Sequence, residues 1–222
     1  MIAIAIDGPA GAGKSSIARG VAKELGYIYV DTGALYRTIG LAVSRSKTDP
    51  EDRSALEALL RQTDIRLTFA NGEQRVLLNG EDVSDVIRTP DASMMASRVS
   101  AIPTVRAFLL SLQRELAETN NVLMDGRDIG TVVLPNAQIK LFLTASIDCR
   151  AKRRYDEFIA KGQDVSLEAV RADIEKRDYD DSHRSIAPLK PADDAEIIDN
   201  SWMELDESIA MITARIRARL AQ

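Results

Sequence analysis

Directly after the apolar residues 2–6, the chain reads Gly8-Pro9-Ala10-Gly11-Ala12-Gly13-Lys14-Ser15-Ser16, a set of residues suited to holding a chain of phosphates. Gly8, Gly11 and Gly13 let the backbone curl with its N–H groups turned inward, and a following helix presents its positive end to the anion. In the Gly-x-x-x-x-Gly-Lys-Ser spacing, Lys14 reaches the outer phosphates and the Ser15 hydroxyl meets Mg2+. The loop alone does not separate hydrolysis from transfer or from sensing.

Arginines decide between these. Moving a phosphoryl group needs little covalent help from protein, but the charge spread over its oxygens must be neutralised and held in line. The guanidinium fork matches two oxygens at once. Arg37 falls one helical turn into the second expected helix, and Arg127 follows Asp125-Gly126 at the end of an expected strand. Arg153, Arg154, Arg177 and Arg184 crowd a charged stretch further on. Arg150, Lys152 and Arg171 in the same stretch are expected on solvated helix faces with surface ion partners. Asp125 follows residues 122–124 as a carboxylate does when it positions Mg2+ through waters, a place where a turn-forming or capping aspartate also fits.

The elements that must carry these groups follow from periodicity. Residues 15–25 place Ile17, Val21, Ala22 and Leu25 on one helical face, with Gly26 as the stop. Residues 27–30 read as a buried strand, and Asp31-Thr32-Gly33 opens the next helix. Repeated strand-then-helix order predicts a parallel sheet with helices on both faces. The period then changes: residues 65–69 and 75–79 alternate apolar and polar around an Asn71-Gly72 turn, which predicts a β-hairpin. Helical patterns at 53–60 and 91–99 flank it. Pro103 sits in the first turn of a long helix ending near Glu118. The α/β pattern resumes with strands at 122–124, 139–144 and 196–199, and a closing helix over 205–220. The expected division is a core of 1–61 and 101–222, an inserted module of 62–100, and a charged helical lid of about 148–184, poor in apolar anchors as a mobile element is.

Composition sets outer limits. With 222 residues and 45% hydrophobic content the chain can bury a substantial core, and its formal net charge of −5 argues against a general nucleic-acid or membrane-surface binder. Cys149 is the one cysteine, expected as a small buried or half-buried filler, and His183 the one histidine, expected in a solvated loop. A disulfide framework and a Cys- or His-based metal site are thereby excluded. No apolar run is long enough for a bilayer helix and no signal peptide opens the chain, so a soluble cytoplasmic protein is expected.

Together, residues 6–16, Asp31-Thr32-Gly33-Ala34-Leu35-Tyr36-Arg37, residues 125–131, and Arg177-Asp178 with Asp181, Arg184 and residues 187–189 resemble the bacterial cytidylate kinases, a P-loop nucleoside monophosphate kinase family. The resemblance runs in order across nearly the whole chain. It implies a P-loop NTPase-type parallel sheet sandwiched by helices, with the 62–100 insertion as a small antiparallel β/helical module for the monophosphate. It implies transfer from ATP to CMP and dCMP with Mg2+, by a monomer. Carried over residue by residue, it implies ATP phosphates on Gly8–Ser16 with Lys14 on the outer ones, and Arg153 as a lid contact to the donor. Arg37, Arg127 and Arg184 would hold the acceptor phosphate. Ser97, Arg106 and Asp128 would read cytosine, with Arg177 and Asp181 near the ribose and Thr32 also in the acceptor site. Many relatives have Gly-Lys-Gly-Thr where this chain has Gly-Lys14-Ser15-Ser16, which leaves Ser15 and Ser16 both open as the metal hydroxyl. Another small P-loop kinase, acting on UMP, AMP, shikimate or dephospho-coenzyme A, is the nearest alternative. A regulatory GTPase is a more distant one, since no Asn-Lys-x-Asp guanine-reading segment is present.

Overall fold

The computed structural model describes residues 1–70 and 73–221. The Asn71-Gly72 turn expected from the sequence lies outside the described residues.

Strand β1 (Ala3–Asp7) is the middle of a five-stranded sheet, with β6 (Val122–Asp125) on one side and β7 (Ile139–Thr144) on the other. β2 (Ile28–Asp31) lies beyond β6 and β8 (Glu196–Asp199) beyond β7, and every pair is parallel. The alternation of side chains along a strand gives each face its own core. Ile4 and Ile6 join Leu123, Leu141 and Leu143 under helices α1 (Lys14–Leu25) and α8 (Leu205–Leu220), against Ile17, Val21, Ile212 and Ile216. The smaller Ala3 and Ala5 face the other way, with Val30, Val122 and Met124, toward Leu110 and Leu116 of α5 (Pro103–Thr119).

The chain leaves β1 for β2 on one side and returns to β7 on the other. The carboxyl end of β1 is therefore a topological switch point, the crevice where open α/β sheets place their ligands. The loops after β1, β2, β6 and β7 all open at that edge. Close packing there requires Gly8: with φ +149° it runs so near β7 that a Cβ would lie 2.0 Å from the Leu143 carbonyl oxygen.

Helix boundaries follow the capping chemistry. The Asp31 carboxylate accepts the Ala34 N–H at the start of α2 (Thr32–Ser46), and Gly26, left-handed at φ 70°, closes α1. Strands β3 (Ile65–Ala70), β4 (Glu73–Leu78) and β5 (Glu81–Asp82) form the antiparallel sheet expected from the period change. This sheet shares one apolar cluster with α2, α3 (Arg53–Arg61), α4 (Pro90–Ser100) and α5, in which Leu35, Ile39, Leu56, Val76, Val99 and Leu109 are buried together. Gln74 of β4 ties it to the main sheet: its Oε1 accepts the Asp31 N–H at 2.8 Å.

The charged stretch folds as α6 (Ile147–Ala160) and α7 (Leu167–His183). They meet on a small cluster of Ala151, Val170 and Ile174, flanked by Tyr155 and Phe158, so the pair has more apolar anchoring than its composition suggested. His183 ends α7 rather than lying in a loop, exposed and stacked on Tyr179 at 4.0 Å. Cys149 is half-buried, its Sγ donating to the Ser201 carbonyl. Among the described residues no helix is long and apolar enough to cross a membrane.

Candidate active site

The edge loops enclose a cleft of about 530 Å³. Eleven lysine and arginine side chains line it against six carboxylates, in a chain whose net charge is −5. A concave site with that local excess attracts a polyanion.

The loop after β1 forms one wall. Ala10, Gly11, Gly13, Lys14, Ser15 and Ser16 line the cleft. Gly8, Pro9 and Ala12, also expected at the phosphates, instead shape the loop: Gly8 packs on β7, the Pro9 carbonyl accepts from Lys14 Nζ at 2.7 Å, and the Ala12 carbonyl accepts from Asn200 Nδ2 at 3.0 Å. Lys14 is buried, which drives its pKa down to about 7, with the nearby Arg127 charge pushing the same way. An anion on this wall would restore its charge.

At the floor, the Ser15 hydroxyl donates to Asp125 Oδ2 at 2.7 Å, while Asp125 Oδ1 accepts from the Tyr29 hydroxyl at 3.1 Å. Burial raises the Asp125 carboxyl to about 6, reinforced by Asp31. Ser16 is exposed on the cleft wall. No cluster of three or more histidine, cysteine, aspartate or glutamate side chains suitable for a metal occurs among the described residues. One carboxylate beside one hydroxyl is the donor set that suits Mg2+, which keeps several waters and takes the rest of its ligands from substrate phosphates.

The opposite wall comes from α2, α4, α5, the loop after β6, and α7. Its centre is a buried network. Arg106 of α5 pairs with Asp128 Oδ2 and also donates to the Ser100 carbonyl at 3.1 Å. Arg184 Nη2 meets Asp128 Oδ1 at 3.3 Å and lies 3.9 Å from Asp181, while Arg127 Nε donates to Asp181 Oδ2 at 2.9 Å. Burial pushes the Asp128 carboxyl up and the Arg184 guanidinium down, each opposed by the ion pairs. Arg37 pairs with Asp31 at 2.7 Å, yet its buried Nε has no partner. Arg177 also has no ion partner among the described residues, and burial lowers its pKa. Buried guanidinium donors left over in this way are suited to phosphate oxygens. Thr32 and Ser97 also line the cleft, and the Thr32 hydroxyl donates to the Asp125 carbonyl at 2.7 Å.

On the α6 side, Arg153 donates to the Asn200 and Met203 carbonyls at 2.8 and 3.2 Å, next to the β1 loop. Lys152 and Arg171 make the exposed ion pairs expected of them, with Asp156 and with Asp148 and Glu175. Arg150 does not: it is 7% exposed and donates inward to the Ala145 and Ala10 carbonyls and to Asp178. Spacing gave no sign of this, because two of the three acceptors, the Ala10 carbonyl and the Asp178 carboxylate, stand 140 and 28 residues away.

Sequence reasoning also missed Asp7, whose carboxylate accepts the Ile129 and Gly130 N–H groups, each at 2.8 Å. That grip winds residues Ile129–Val133 into a single π-helical turn and sets the direction in which Arg127 and Asp128 leave β6. Burial raises the Asp7 carboxyl to about 6, a cost its two backbone donors reduce. Tyr36, under the Arg106 guanidinium at 5.7 Å, is a further cleft residue, which the 31–37 segment contained without a role.

A family model described as cytidylate kinase matches residues 4–218. A cytidylate kinase of Caldicellulosiruptor bescii is 49% identical over 211 residues, covering 95% of this chain and 93% of the relative. One of Ligilactobacillus salivarius is 50% identical over 216 residues, covering 97% and 96%. Among solved structures, an uncharacterized protein from Eubacterium ventriosum superposes with TM-score 0.52 at 16% identity, over 98% of both chains, a likeness of fold alone.

Proposed function

The chain belongs to the cytidylate kinase family, and from that premise we propose that the cleft binds a nucleoside triphosphate on the β1 loop and CMP on the arginine network facing it. The protein is a nucleoside monophosphate kinase, a transferase that phosphorylates CMP. ATP as the donor, Mg2+ as the metal and dCMP as a second acceptor belong to the same reading. The observation that carries the assignment of residues is the shared cleft: the phosphate-holding loop and the buried Arg106–Asp128–Arg184 network line one cavity.

In this reading an acceptor phosphate oxygen attacks the γ-phosphorus as the bond to the β–γ bridging oxygen breaks, and no side chain is a nucleophile. The chain contributes alignment, charge and exclusion of water. Lys14 lies on the outer phosphates. Mg2+, held through the Ser15 hydroxyl and the Asp125 carboxylate, would neutralise charge between the outer phosphates of the donor. The Ser15–Asp125 hydrogen bond favours Ser15 over Ser16 for that place. Arg37 offers its unpartnered Nε to the acceptor phosphate, and Arg177 stands on the ribose side with Asp181. Arg127 and Arg184, held by carboxylates, exchange part of that pairing for phosphate oxygens. The 3.3 and 3.9 Å contacts of Arg184 are the loosest of the network and the easiest to exchange.

Cytosine is read at Asp128, which can accept from the exocyclic amine, and Arg106, which can donate to the ring acceptors. Ser97, Asp181 and Thr32 complete the nucleoside side, and the 62–100 segment serves as the acceptor module. Arg153 and the α6–α7 pair close over the donor.

A coupled assay with ATP against CMP, dCMP, UMP and AMP tests the reading. CMP and dCMP are expected to turn over, with UMP and AMP at least tenfold slower. Comparable rates on UMP or AMP overturn the role given to Asp128 and Arg106.

A further inference from the structure

Arg150 and Asp178 have no part in the mechanism above, yet they meet the donor loop at its outer side. We propose that they are a positioning pair that grips Ala10 on both sides and sets the conformation in which the loop receives phosphates. The Asp178 Oδ1 accepts the Ala10 N–H at 3.3 Å, and Arg150 Nη1 donates to the Ala10 carbonyl at 2.9 Å. The two side chains close on each other at 2.5 Å, and Arg150 Nε is fixed by the Ala145 carbonyl at 2.9 Å. Packing is equally close: a Cβ on Gly11 would stand 3.1 Å from both the Arg150 Cβ and its carbonyl oxygen.

An anion-binding loop works only if its donors are aimed before the ligand arrives. Holding the Ala10 N–H on Asp178 and its carbonyl on Arg150 fixes the orientation of both peptide groups that flank Ala10. The ion pair also keeps the Asp178 charge compensated, so the loop is not backed by a bare carboxylate that would repel phosphate. Asp178 sits on α7 between Arg177 and Asp181. The grip therefore joins the donor loop to the helix that carries acceptor-side groups.

This inference rests on the reading that the triphosphate lies on the β1 loop. The test uses the full-length enzyme with Asp178→Ala and Asp178→Asn. Asp178→Ala is expected to raise KM for ATP about tenfold while KM for CMP stays within about twofold. Asp178→Asn keeps an acceptor for the Ala10 N–H but loses the ion pair, and is expected to recover part of that loss. Independently of turnover, amide hydrogen exchange across residues 7–13 is expected to quicken in Asp178→Ala, with exchange in β7 unchanged. Should Asp178→Ala not fold, Arg150→Lys tests the pair from its other member, with the same split expected. An unchanged KM for ATP, a parallel rise in both KM values, or unaltered exchange in the loop overturns the proposal. Direct ATP binding to Lys14→Met separates the two readings: intact affinity there refutes the donor site itself. Lost affinity there, with normal affinity in Asp178→Ala, refutes only the positioning pair.

Discussion

Replacing Asp128 by asparagine tests the base-reading network most sharply. The carboxylate holds Arg106 through one oxygen and Arg184 through the other, in a site where the three side chains are 6–9% exposed. Asparagine keeps one acceptor oxygen and puts an amide donor where the second was. Toward cytosine, the position that accepts from the exocyclic amine becomes weaker or presents a donor. A hydrogen bond to a charged group contributes about 1.5–3 kcal/mol, so kcat/KM for CMP should fall roughly 10- to 150-fold. Uracil carries a carbonyl where cytosine carries the amine, and an amide can donate to it. The CMP-to-UMP preference should therefore shrink by at least about tenfold, more than a general weakening would produce. Steady-state kinetics on both acceptors, with thermal unfolding to establish that the variant is folded, give the answer. An equal loss on CMP and UMP, or a preference unchanged within twofold, refutes the assignment of Asp128 to the base.

Lys14→Met should lower kcat by about 10²–10³-fold, the usual effect of removing one donor aimed at developing charge, without lowering Tm, because the buried ammonium is held at a desolvation cost that methionine does not carry. Donor binding should take up protons above neutrality: with Lys14 near 7 in the free enzyme, most of it is neutral at pH 8 and must be charged against a triphosphate. Calorimetry in buffers of different ionisation enthalpy should then show uptake approaching about 0.9 proton at pH 8, and zero uptake would remove Lys14 from the phosphates. The sign reverses at pH 5, where Asp125, raised to about 6, must lose its proton when Mg2+ binds, so release is expected in a magnesium titration. Ser15→Ala should raise the magnesium concentration needed for half-maximal rate more than Ser16→Ala does, and the opposite order would move the metal hydroxyl to Ser16.

The elements and the chemical inventory could be read from the residues alone, because both are written in local patterns. Gly8 to Ser16 follow an apolar strand and lead into a helical face, and that order suffices for the strand–loop–helix unit at the cleft. Likewise the shift from a helical period to alternation at residues 65–79 suffices for a hairpin, and Asp31 before Thr32 for a helix cap. The arginines expected around two phosphates, Arg37, Arg127, Arg153, Arg177 and Arg184, all reach the cleft. Only the tertiary structure decided which carboxylate holds which arginine, since Arg106 and Asp128 stand 22 residues apart and Arg127 and Asp181 54 apart. It also reversed the reading of Arg150. Its neighbours in sequence are those of a solvated helix face, but the Ala10 and Ala145 carbonyls and Asp178 enclose it. Asp7 was equally silent, because its partners are two backbone N–H groups more than 120 residues away. Periodicity and capping depend on residues within one or two turns. Burial of a charge and the direction a loop takes depend on what the rest of the chain brings beside it, and that is settled only when the sheet has closed.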